Sequence, residues 1–154
     1  MTRKAIILTS ALLFIGVALA GAEDPHMGTW KLNRAKSDLG PGAPKNNTVV
    51  YEAAGDKVKV TVDGIASDGK PIHNEWTGKF DGKDYPVTGD ANSDDRSYTK
   101  IDERTLGFNF KKDGKRVAGG RIEVSDDGRH RTVTTRGIDS QGKKFMSTTV
   151  YDKQ

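Results

Sequence analysis

The sequence contains no cysteine among its 154 residues. Disulfide bonds, a thiol nucleophile and a lipoprotein acylated on an N-terminal cysteine are therefore excluded. The three histidines show no His-x-His or His-x-x-x-His spacing, so a zinc site has little support. A Gly-x-Ser-x-Gly elbow and a glycine-rich phosphate loop followed by a helix are also missing. We expect no metal, no cofactor and no catalytic residue, although an active site assembled across distant strands leaves no short motif.

Long hydrophobic runs are missing too, except for one at the N-terminus. Arg3 and Lys4 precede the apolar run Ala5–Ala20, and small residues crowd its end. This pattern predicts a signal peptide over residues 1–22, cleaved after Ala20 or Ala22, and a single domain over residues 23–154. It implies a bacterial protein that is periplasmic or secreted, with no stable membrane span after cleavage.

Charge of one sign is not in large excess. There are 25 Lys and Arg against 21 Asp and Glu, and they are interspersed. Nucleic-acid binding needs a clustered basic face, so we expect no nucleic-acid partner. Hydrophobic residues make up 34% of the chain, and the predicted signal peptide holds a large share of them. Antiparallel strands that bury one face fit this low content better than a helical bundle or a parallel sheet does.

Short runs rich in β-forming residues alternate with turns that combine Gly with Asp or Ser. Turns this tight join antiparallel neighbours, so the strands form a meander. An open meander of this length leaves two edges, which closure removes. The sequence therefore predicts an all-β, antiparallel up-and-down β-barrel of eight to ten strands. The predicted strands lie near Gly28–Asn33, Thr48–Ala54, Lys57–Asp63, Pro71–Phe80, Tyr85–Thr88, Arg96–Ile101, Thr105–Lys112, Arg116–Ser125, Arg131–Ile138 and Lys144–Asp152.

One strand–turn segment occurs twice. Residues Val60–Lys70 match Val133–Lys143 at seven of eleven positions. Convergence on one hairpin solution and duplication of a hairpin both explain the match, and both predict equivalent roles for the two hairpins. The exception to short turns is Arg34–Asn47, where Pro41 and Pro44 exclude a regular helix in the second half. This segment is either a lid or a long crossing at one end of the barrel.

The two ends of the predicted domain carry a family resemblance. Gly28-x-Trp30, within "GTWKL", resembles the opening strand of the lipocalin and fatty-acid-binding-protein (calycin) superfamily. "TTVYDK", Thr148–Lys153, is similar to the last strand of the fatty-acid-binding proteins. The opening also resembles small exported bacterial lipocalin-like proteins of unknown activity. The resemblance implies a barrel that holds a small ligand, with Trp30 closing its floor.

The departures from this family bear on the ligand. Fatty-acid-binding proteins carry two helices where this chain has Arg34–Asn47, which cannot form them. In that family an Arg-x-Tyr pair on the last strand grips the ligand carboxylate, but here Thr149 replaces the Arg before Tyr151. A hydroxyl loses the bidentate charge-assisted contact that Arg provides. We therefore expect a neutral apolar ligand, or none.

Period-two alternation predicts which side chains face the barrel interior. We predict an exported β-barrel that binds a small, largely apolar molecule in a pocket of mixed polarity. The alternative is a non-catalytic interaction or structural barrel of the cell envelope with a filled core. A small hydrophobic ligand is the expected partner, and the sequence names no protein partner. The predicted ligand contacts are Asn74, Trp76, Tyr98, Phe108, Phe110, Ser147, Thr149 and Tyr151.

Overall fold

The computed structural model describes residues 23–40 and 43–154. The predicted signal peptide therefore lies outside the described residues. The described chain forms ten strands and one short 3-10 helix. These are β1 (Gly28–Leu32), the 3-10 turn (Arg34–Lys36), β2 (Lys45–Ala54), β3 (Lys57–Ile65), β4 (Pro71–Gly78), β5 (Tyr85–Thr88), β6 (Asp95–Asp102), β7 (Thr105–Lys112), β8 (Lys115–Val124), β9 (His130–Ile138) and β10 (Lys144–Lys153).

The ten strands close into one barrel. Each strand pairs antiparallel with the next in sequence, and β1 pairs with β10, where Leu32 lies opposite Tyr151. Closure leaves no unpaired sheet edge among these strands. The predicted all-β up-and-down barrel is confirmed, and the number of strands is ten.

The two similar hairpins have the same turn. In the β3–β4 turn, Ala66 N–H donates to Lys70 O (2.8 Å) and Gly69 N–H donates to Ala66 O (3.0 Å). In the β9–β10 turn, the corresponding bonds link Asp139 with Lys143 (2.9 Å) and Gly142 with Asp139 (3.0 Å). Gly69 and Gly142 have φ of 84° and 78°, a conformation that favours glycine. The two similar segments therefore form hairpins with the same turn geometry.

The connection between β1 and β2 is packed against β10. After the 3-10 turn, the Ser37 hydroxyl donates to Asn33 O (2.7 Å) and accepts from Val150 N–H (2.9 Å). Asp38 then forms an isolated bridge with Thr148 through two backbone hydrogen bonds. The described part of this connection thus contains no pair of helices, and its first half lies along β10, to which these hydrogen bonds anchor it.

The barrel has two unlike ends. We call the closed end the one where the chain enters β1 and where the β2–β3, β4–β5, β6–β7 and β8–β9 turns lie. The open end carries the β1–β2 connection and the other four turns. Along β10, from the open end to the closed end, the exposure of the inward side chains falls. Phe145 is 41% exposed, Ser147 is half-buried, and Thr149 and Tyr151 are buried. On β9, Arg131 is buried whereas Val133 and Thr135 are half-buried. The inward side chains of β9 and β10 are thus buried at the closed end and partly exposed towards the open end.

Candidate functional site

The closed end is sealed by aromatic rings around a buried arginine. Trp30 is completely buried, and its indole Nε1 donates to His26 O (2.9 Å). The Arg131 guanidinium lies 5.0 Å from the Trp30 ring centroid and 4.8 Å from those of Tyr51 and Tyr151. Cation–π attraction at such distances stabilises a cation that burial has stripped of water. The predicted place of Trp30 at the barrel floor is confirmed.

Trp76 and Tyr98 join a second aromatic cluster, which continues from the closed end towards the middle of the barrel. Their rings meet edge to face with centroids 4.7 Å apart, and Trp76 stacks on Phe80 at 6.4 Å. The Trp76 Nε1 donates to Arg96 O (3.0 Å), so its polar atom is already satisfied. Burial raises the pKa of the Tyr98 hydroxyl well above its usual range. These two predicted ligand contacts therefore pack mainly against other protein side chains.

In the open half of the interior, β9 and β10 contribute small side chains, whereas β7 contributes the Phe110 ring. Asn74, Phe110, Ser147 and Thr149 lie there, and Phe110 and Ser147 are only half-buried. Asn74 is 4% exposed, and its Oδ1 atom has no hydrogen-bond partner in the structure. A buried acceptor without a partner costs free energy, so this atom is a place where a ligand donor or a water would be stabilised.

All eight predicted ligand contacts face the interior, but at two depths. Asn74, Phe110, Ser147 and Thr149 lie in the open half. The other four, Trp76, Tyr98, Phe108 and Tyr151, are buried deeper in the aromatic packing. Burial raises the pKa of the Tyr151 hydroxyl to about 12, so it stays protonated.

Among the described residues, three buried basic residues were not among the predicted contacts. They are His26, Arg96 and Arg131, each 5% exposed or less. Arg131 has the same parity as Val133, so alternation alone placed it inside. Arg96 likewise shares the parity of Tyr98, but His26 precedes the first strand and gave no periodic signal. Charged residues are rarely buried, which is why these positions attract no attention in a sequence.

Arg96 is paired, whereas Arg131 is not. Arg96 Nη2 lies 2.7 Å from Asp90 Oδ2, and its guanidinium lies 4.5 Å from the Phe110 ring centroid. Burial tends to raise the pKa of Asp90, but hydrogen bonds from Ser93 and Arg96 hold it below its usual value. The Arg131 Nε and Nη1 atoms, in contrast, have no partner. A cation therefore lies in the interior without a carboxylate.

His26 caps the closed end from outside the sheet. It is completely buried, neither ring nitrogen has a partner, and its ring meets Phe80 edge to face. Burial lowers the pKa of His26 to about 4, so the imidazole is neutral at pH 7. A neutral imidazole beside the Arg131 cation fits a structural plug.

Two depressions lie at the open end. The first, about 360 Å³, lies between the β1–β2 connection and the β3–β4 turn and includes Arg34, Ser37, Lys45 and Ser67 in its wall. The second, about 680 Å³, lies where β8, β9 and β10 reach the rim. Across residues 23–40 and 43–154 there is no group of three or more metal-binding side chains. No helix of the same residues is long and apolar enough to cross a bilayer.

Comparison with known proteins identifies solved structures that are similar to this chain but no family. No family model and no curated protein matches this chain. It is similar to a structure described as "EF1p2_mFAP2b bound to DFHBI", with 12% identity, a TM-score of 0.48, and coverage of 84% of this chain and 94% of that one. It is also similar to "a redesigned beta barrel, mFAP1, bound to DFHBI", with 17% identity, a TM-score of 0.44, and coverage of 84% and 95%. Both TM-scores are below 0.5, so the fold rests on the observed strand pairing, which is that of a closed ten-stranded antiparallel barrel.

Proposed function

We propose that this protein is an exported binding barrel that takes one small, largely apolar molecule into the open half of its interior. The observation that carries the proposal is the change of burial along the inward face. Arg131 and Tyr151 are buried, whereas Thr135 and Ser147 are half-buried. An interior that is sealed at one end and reachable from the other is the arrangement of a ligand pocket.

The side chains of the open half also indicate which chemical groups a matching ligand has. Asn74 lies opposite Val62, which is buried, and the Asn74 Oδ1 atom accepts no hydrogen bond. Val133 and Phe110 add half-buried apolar surface at a similar depth. The matching ligand has an apolar body with at least one N–H or O–H donor for Asn74.

Binding of N-phenyl-1-naphthylamine, a neutral apolar fluorophore with one N–H donor, tests this proposal. We expect saturable 1:1 binding with increased fluorescence. Thr135→Trp places a large ring in the open half and should abolish binding, whereas Thr134→Trp places the same ring on the outer face and should leave binding within about twofold. If the wild type does not bind the probe, or if both variants bind equally, the proposal fails and the filled-barrel alternative is favoured.

A second candidate differs in the polar group of the ligand. The unpartnered Nε and Nη1 atoms of Arg131 favour a ligand whose anionic group reaches the closed end. Dodecanoate should then displace the probe more strongly than dodecanol, and Arg131→Met should remove that difference. Equal displacement by both compounds would leave the neutral ligand as the better description.

Export is the remaining part of the proposal. The basic and apolar pattern of residues 1–22 and the likeness to small exported bacterial lipocalin-like proteins support it. Expression of the full chain in a bacterium should give periplasmic or secreted protein that begins at Gly21 or Glu23. Intact-mass measurement of the purified protein checks this, and an unprocessed cytoplasmic product would contradict it.

A further inference from the structure

An exposed apolar cluster lies on the rim of the open end, where β8, β9 and β10 meet. Ile138, Phe145 and Met146 are 48%, 41% and 63% exposed, and they line the depression of about 680 Å³ together with Val117. We call these four side chains and the three cations described below the rim patch. Exposed apolar side chains that cluster in this way mark interaction sites more often than isolated ones do.

The backbone holds part of this cluster in place. Gly137 lies opposite Phe145 in the β9–β10 pair. A Cβ atom on Gly137 would approach the Phe145 ring to 2.8 Å and Val117 O to 2.5 Å. Glycine at this position thus allows the Phe145 ring to lie across β9 at the rim with one face in solvent.

Three cations complete the rim patch. Arg116, Arg136 and Lys144 line the same depression, and no acidic residue lines it. None of the three forms a salt bridge with a described acidic side chain, whereas Lys59, Lys111 and Lys112 each pair with a carboxylate. The rim patch is therefore both apolar and positively charged, and its charge is left for a partner to neutralise.

The charge decides between possible partners. A second copy related by a two-fold axis would place the same cations against one another. An anionic bilayer satisfies both properties, because apolar side chains enter the interface while Lys and Arg contact the acidic headgroups. We propose that the rim patch docks this protein on the surface of an anionic lipid bilayer. Docking through the rim patch places the open end of the barrel against the membrane. This proposal is additional to ligand binding and does not depend on it.

Vesicle flotation of the purified protein without its leader tests this proposal. The vesicles contain phosphatidylcholine alone or with about one third phosphatidylglycerol. We expect binding to the anionic vesicles that weakens with added salt, and little binding to the neutral ones. The triple variant Arg116→Gln, Arg136→Gln, Lys144→Gln should bind at least about tenfold more weakly. The double variant Phe145→Ser, Met146→Ser should also lose at least about tenfold.

The matched control removes three cations elsewhere. Lys31, Arg121 and Arg129 are exposed and form no salt bridge with a described residue, so their replacement by Gln gives the same net charge. This control should bind within about twofold of the wild type. Equal loss in the control, equal binding to neutral vesicles, or no binding to anionic vesicles would overturn the proposal. Binding of poly-L-glutamate but not of vesicles would overturn it too, and would assign the rim patch to an acidic protein.

Discussion

The closed and open ends of this barrel are built from the same ten strands with the same alternation, yet they differ in the size of their inward side chains. Trp30, Tyr51 and Tyr151 fill the closed end around Arg131. In the open half, Thr135, Ser147 and Thr149 occupy inward positions. The strand pattern therefore determines the fold, whereas the volume of the inward side chains differs between the two ends on these strands.

The two similar hairpins show the same contrast within one supersecondary unit. Their turns have matching hydrogen bonds, and Trp76 and Thr149 occupy equivalent inward positions. Trp76 stacks with Phe80, whereas the smaller Thr149 occupies the equivalent position on β10. The two hairpins thus share the same turn but differ in side-chain volume at an equivalent inward position.

The largest expected effect concerns the packing of the closed end. Trp30→Ala should lower the free energy of unfolding by about 3–5 kcal/mol, because it removes a completely buried ring and exposes one face of Arg131. Ser147→Ala, in the open half, should change it by less than about 1 kcal/mol. Urea unfolding of both variants measures this contrast. Similar losses in the two variants would show that the interior is packed equally throughout.

The next effect concerns the histidine that caps the closed end. The pKa of His26 is about 4 in the folded state against 6.5 for a free imidazole, so the unfolded chain binds the proton more tightly. The folded state therefore loses stability as the pH falls from about 6.5 towards 4. By pH 4.5 the loss should be roughly 2–3 kcal/mol, measured by urea unfolding at several pH values.

The variant His26→Leu is the control for this pH dependence. The quantity to follow is the difference in the free energy of unfolding between the wild type and this variant at each pH. His73 acts in the opposite direction, because the hydrogen bond that its ring donates to the Asp63 carboxylate raises the pKa of His73. Its contribution is present at low pH and lost as the pH rises through the raised pKa. His73 is unchanged in the variant, so its contribution cancels. If wild type and variant lose stability in parallel between pH 6.5 and 4.5, His26 is not buried as a neutral group.

Replacement of Asn74 should have a smaller effect on the free energy of unfolding, and of opposite sign. Asn74→Leu replaces a buried acceptor without a partner by an apolar group of similar size, so the free energy of unfolding should stay the same or rise by about 1–2 kcal/mol. Affinity for N-phenyl-1-naphthylamine should fall, because the acceptor for its N–H is gone. Urea unfolding and probe titration of the same sample measure both. Loss of stability without loss of affinity would make Asn74 a structural residue.

The ten strands could be predicted because two local signals agree along the whole chain. The alternation of apolar and polar residues identified the strands, and Gly beside Asp or Ser identified the turns. Tyr85–Thr88 and Thr105–Lys112 were therefore predicted with their observed bounds. Parity also placed all eight predicted contacts on the inward face. Depth could not be predicted in this way, because it depends on how ten strands stagger around the barrel. The burial of Arg131 was missed for a different reason. The rings that stabilise its guanidinium lie on three other strands, β1, β2 and β10, so the sequence around Arg131 does not indicate them.

The most direct test of the account is residue-resolved mapping of the bound probe. Backbone amide spectra of the protein should be recorded during titration with N-phenyl-1-naphthylamine. We expect saturable shifts at Asn74, Phe110, Thr135, Ser147 and Thr149, with the amides of Trp30 and Arg131 unchanged. Shifts confined to the outer face, or equal shifts at both ends of the barrel, would contradict a ligand pocket in the open half.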